Sequence, residues 1–316
     1  MLDYLGCRRD TRIDFATAAR STSLPASLKQ VQLDFINDID ASLQEQNKQL
    51  PNLVGSMASD PFSSSLRLLS YSLSRMDLHV VADKSLFWPS GDDFPPSWPN
   101  LEFLTVLFHI CSPSGEWYFQ GPEDEDDDDD DDDVSDQIAE DDPYPPFEDD
   151  IEEKEEWCYR DGVDTPEPED TFRVVPREEQ LVPFLEAFAQ AAASMPRLLE
   201  AWLWAPMRFH PSDWEEYDGD TMDQYSENIC GWGLKYDAPG ADVPGACSTE
   251  GMTLTTARRI KWRVGSWRPD ANLHQSFRSI GENYYGPHLE ETWHDTGQAV
   301  TLPRRDWFEY GECILL

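Results

Sequence analysis

The chain has 316 residues, 39% of them hydrophobic and 12% aromatic, enough to bury the core of one large domain or two small ones. Its 24 Lys and Arg stand against 63 Asp and Glu, a net charge of -39 that repels phosphate backbones and argues against nucleic-acid binding. No apolar run approaches the roughly 20 residues that span a bilayer, so no membrane partner is expected.

Residues 1–24 carry Asp3, Arg8, Arg9, Asp10 and Asp14 without an apolar block. They read as an N-terminal tail, neither a secretory leader nor a transit peptide, and the chain is expected to be intracellular, cytoplasmic or nuclear. From Pro25 a short pattern begins in which an apolar residue is followed at +3, +5 and +7 by further apolar residues: Leu28, Val31, Leu33, Phe35. The last three alternate at period two, the mark of a strand with one buried face, and the leading residue sits where a preceding turn tucks in. Asp60-Pro61 is a helix-start pair, and Phe62, Leu66, Leu69 and Leu73 then share one helical face. The strand pattern returns as Leu73, Met76, Leu78, Val80, again as Leu101, Leu104, Val106, Phe108, and after the acidic region as Leu198, Ala201, Leu203, Ala205. A fifth copy is Ala257, Ile260, Trp262, Val264. Pro25, Pro99 and Pro196 precede three of the leading residues and preset an extended entry to the strand. Leu181, Phe184, Leu185, Phe188, Ala192 and Met195 predict a second helix ended by Pro196, with Pro183 in its first turn or at a kink.

Charge is concentrated in one stretch. Residues 123–156 hold 22 acidic residues against Lys154 alone, with an unbroken run from Glu123 through Asp126, Asp127, Asp128, Asp129, Asp130, Asp131, Asp132 and Asp133. Such a run cannot bury apolar surface to offset the entropy of ordering, so residues 123–170 are expected as a disordered insertion. It divides the chain into a first half at 25–122 and a second at 171–316. A solvated, tolerated loop and a docking surface for basic proteins such as histones are both open for it.

Strands joined through helices favour parallel neighbours and right-handed crossovers. The Leu-x-x-Leu-x-Leu spacing of the repeated units resembles that of leucine-rich repeats, whose strands line one side of a solenoid. The expected fold is therefore α/β, an irregular leucine-rich-repeat-like solenoid of mostly parallel strands with an acidic insertion. Leu86-Phe87-Trp88-Pro89, Trp98-Pro99-Asn100-Leu101, the stretch from Pro113 to Phe119 and that from Trp262 to Asp270 resemble the repeat region of fungal F-box-like, leucine-rich-repeat-like proteins. The resemblance implies a substrate receptor, in which an F-box docks on a ubiquitin-ligase adaptor and the repeats hold the target protein. An F-box is about three helices opening on a Leu-Pro-x-Glu-type segment, and Met1 to Ser27 is too short and polar to supply it. Adaptor binding is thus expected only with an F-box supplied upstream.

Chemistry-bearing motifs are absent: the chain has no G-x-S-x-G, G-x-x-x-x-G-K-[ST], G-x-G-x-x-G or H-E-x-x-H. The six cysteines show neither C-x-x-C nor zinc spacing and are expected as small core hydrophobes. No enzyme activity, cofactor or metal is expected. Aromatics are the better signal, with 12 Trp in the chain. Trp202 and Trp204 should point away from Ala201, Leu203 and Ala205. With Arg263, Trp267 and Arg268 they form the candidate protein-interaction set, since Trp and Arg dominate interface hot spots. The alternative function is an acidic binder of basic proteins through Asp126–Asp133.

Overall fold

The computed structural model describes residues 5–22, 25–35, 52–89, 91, 95–120, 175–208, 229–240 and 257–293, and the aspartate run lies outside them. In chain order the first elements are helix α1 (Leu5–Ser21), strand β1 (Gln30–Asp34), helix α2 (Pro61–Ser70), strand β2 (Arg75–Val80), a 3-10 turn (Lys84–Leu86) and strand β3 (Phe103–Phe108). Short strands β4 (Phe119–Gln120) and β5 (Val175–Pro176) precede helix α3 (Glu178–Ala193). Strands β6 (Glu200–Arg208), β7 (Ile229–Asp237) and β8 (Arg258–Arg263), helices α4 (Ala271–Arg278) and α5 (Glu282–Tyr285), and strand β9 (Leu289–Trp293) complete it.

Seven of these strands form one sheet in the order β1-β2-β3-β6-β7-β8-β9, so strands enter the sheet in chain order. β1, β2, β3 and β6 are parallel neighbours, and β8 pairs parallel with β9. The fold is thus mixed α/β with a mostly parallel central sheet. All five alternating stretches of the sequence are strands of this sheet and point the same way. The parallel stack is broken once, between the fourth and fifth: β7 runs antiparallel to both β6 and β8. Antiparallel pairing lets β6 and β7 share their full length, from Glu200↔Asp237 to Arg208↔Ile229.

Below the strands, the repeat extends to the backbone. Lys29 O accepts from Ser74 N and Arg75 N at 2.7 and 3.1 Å, and Ser74 O from Glu102 N and Phe103 N at 2.8 and 3.1 Å. Glu102 O then accepts from Leu199 N and Glu200 N at 2.8 and 3.1 Å. Each acceptor follows the leading leucine of its unit, so one bifurcated link joins successive units whatever the insertion between them. Leu73, Leu101, Leu198 and Ala257, leading residues of the last four units, are buried.

One face of the sheet holds the core. Met76, Leu78, Val80, Leu104, Val106, Phe108, Ala201, Leu203, Ala205, Ile260 and Trp262 are buried there with the apolar faces of α2, α3 and α4. Full burial of each large side chain is worth about 1.5–3 kcal/mol. The start of α2 is as its sequence indicates: the Asp60 carboxylate accepts from Phe62 N at 3.2 Å and Ser63 N at 2.9 Å, with Pro61 in the first turn. α3 begins at Glu178 and carries Pro183 internally, which removes the N–H that would bond the Glu179 carbonyl. Phe184 and Phe188 of α3 meet Phe87 at ring-centroid distances of 5.2 and 5.1 Å.

Residues 1–24 depart from the tail expected of them, because Leu5–Ser21 is helical and packs on α2. Arg12, Phe15 and Ala16 share one face. Phe15 lies 5.1 Å from Phe62 and 5.4 Å from Phe35, and Ala16 is buried. Arg12 forms a buried ion pair with Asp60 and donates to Val81 O at 2.9 Å. The many charges of this segment hide a narrow docking stripe. Cys111 is a buried thiol, its Sγ 2.9 Å from His109 Nδ1.

Candidate functional site

Helices cover one face of the sheet; the residues that alternate with the core positions form the other. Across β6, β7 and β8 the register places them in three rows: Glu200–Asp237–Arg259, Trp202–Lys235–Lys261 and Trp204–Gly233–Arg263. Toward β3 the last two rows continue through Thr105 and Leu107. Trp202 and Trp204 therefore lie opposite Ala201, Leu203 and Ala205, their ring centroids 5.6 Å apart.

Cations lie over both indoles. Lys235 Nζ is 4.4 Å from the Trp202 ring centroid, and the Arg263 guanidinium is 5.7 Å from that of Trp204. Gly233 makes the second contact possible, since it stands between Trp204 and Arg263 in the register and has no side chain to fill the gap. The carboxylates belong to the first row. Lys235 Nζ is 3.2 Å from both Glu200 and Asp237, and Arg259 is 3.6 Å from Asp237. Lys235 and Asp237 are buried, 3% and 1% exposed, so their charges depend on this mutual pairing. The indole N–H of Trp204, itself 7% exposed, has no acceptor among the described residues. Trp202, Lys261 and Arg263 are half-buried.

The sequence-derived set is divided by the fold. Trp202, Trp204 and Arg263 meet on the face opposite the described helices. Trp267 and Arg268 do not join them, because the chain turns at Gly265 (φ 58°) and carries both to the helix side. There Trp267 packs 5.4 Å from Trp232 and donates to Glu178 Oε1 at 3.0 Å, while Arg268 lies 4.6 Å over Trp293. Lys235, Asp237 and Gly233 were not singled out in the sequence; the alternation of Trp232, Leu234 and Tyr236 around them was the available signal.

Two buried polar clusters serve the scaffold. At the carboxyl end of β2, Asp60 receives Arg12 and Ser63, and Asp83 accepts from Asp60 N at 3.0 Å and Ser85 N at 2.9 Å. Burial pushes the Asp83 carboxyl above its ordinary range. Nearby, burial also holds the Tyr118 phenol well above its usual value, and its hydroxyl donates to Ala82 O at 2.8 Å. On the helix side of β8, the Arg258 guanidinium donates to Arg278 O and Ile280 O at 2.7 and 2.6 Å, closing the carbonyl end of α4. Burial lowers the Arg258 pKa and raises that of the neighbouring Tyr236.

Among the described residues no group of three or more His, Cys, Asp or Glu could hold a metal ion. Nor is any of their helices long and apolar enough to cross a membrane. The chain matches no known protein family, no curated protein and no solved structure.

Proposed function

We propose that the protein is a non-enzymatic interaction scaffold whose sheet face opposite the described helices binds a target protein, and that its architecture is an irregular leucine-rich-repeat-like solenoid. The observation that carries this is the division of labour across the sheet: core residues and helices on one side, and on the other Trp202, Trp204 and Arg263 held together in register. Side chains of this kind concentrate binding energy at interfaces. The bifurcated links at Lys29, Ser74 and Glu102 support the repeat architecture. The resemblance to F-box-like proteins further suggests that the target is destined for ubiquitin transfer. The test is a photo-crosslinking residue placed at Leu107, beside Trp204, with a control at exposed Leu68 on α2. Discrete adducts in cells from Leu107 alone, lost on Trp202→Ala with Trp204→Ala, are expected; equal labelling from both positions would overturn the assignment. Ubiquitin-ligase involvement fails if no adaptor co-purifies when an F-box is supplied upstream.

The eight consecutive aspartates Asp126–Asp133 support a second reading, in which this stretch binds basic proteins such as histones. Deleting Glu123–Glu156 should then abolish histone binding at physiological salt, and unchanged binding rejects it.

A further inference from the structure

We draw no further inference here: the strongest candidate, the side-chain pair of Cys111 and His109 at the carboxyl end of β3, is a lone cysteine buried beside its histidine, and nothing among the described residues points to a ligand that reaches it.

Discussion

Gly233→Ala tests the packing that assembles the candidate site. An added Cβ would lie 2.1 Å from Leu203 O and 3.0 Å from Trp204 Cα, both backbone atoms that cannot rotate away. Relief requires β6 and β7 to part by about 1 Å, enough to weaken two neighbouring ladder hydrogen bonds worth roughly 1 kcal/mol each. The same movement shifts Arg263 off Trp204, at a further cost of about 0.5–1 kcal/mol. Against this, Ala restricts the unfolded chain and returns roughly 0.4–1 kcal/mol. The net expectation is a loss of about 1.5–2.5 kcal/mol, read as a lower urea midpoint at unchanged slope with Trp fluorescence as the signal. A loss below about 1 kcal/mol would show that the two strands separate freely at this point, and the account of how Trp204 and Arg263 meet would be wrong.

Asp60→Ala should cost about 3–5 kcal/mol in the same assay, because it removes the carboxylate paired with the buried Arg12 guanidinium and the α2 cap together; Asp60→Asn, which keeps a capping oxygen, should cost less, and equal losses would assign the effect to the ion pair alone. Burial raises the Tyr236 phenol pKa above its ordinary 10.0. The folded state therefore keeps a proton that the unfolded chain releases, so this stabilisation is full below pH 10 and is lost as pH rises above it. Tyr236→Phe, whose lost hydroxyl has no partner among the described residues, should be neutral to stabilising at pH 7 and should flatten the alkaline decline in urea midpoint. Replacement of residues 121–174 by Asn-Gly, joining the paired residues Gln120 and Val175 through a two-residue turn, should hold the midpoint or raise it by shortening the chain between the two strands; a chain that no longer unfolds cooperatively would show that the replaced segment supports the core.

The sheet was legible where local pattern and tertiary burial agree. The five stretches from Leu28 to Val264 read as strands because each has one buried face, and the Asp60-Pro61 start was legible because capping is local chemistry. β7 was missed: Lys235 and Asp237 are charged yet buried, and Gly231 and Gly233 hold the other positions on their face, so only the short Trp232, Leu234, Tyr236 alternation marked the strand. β9 was missed because Glu291 occupies a position where an apolar residue would mark the inner face; its carboxylate pairs with His274 at 2.6 Å. The partner of Arg12 lies 48 residues away, which no spacing rule reaches. Trp202 and Trp204 could be assigned to one side by alternation alone. Trp267 and Arg268 could not, since their direction depends on the turn at Gly265 and on contacts with Glu178 and Trp293.

Because no later strand is ever inserted between two earlier ones, the sheet can be laid down as the polypeptide emerges from the ribosome. Each new strand needs only the outermost one already in place, so the growing assembly never has to reopen, and the interval spent making residues 121–174 leaves a finished three-strand platform waiting for β6. Newly made protein is then exposed at a single advancing border, the outer edge of whichever strand came last.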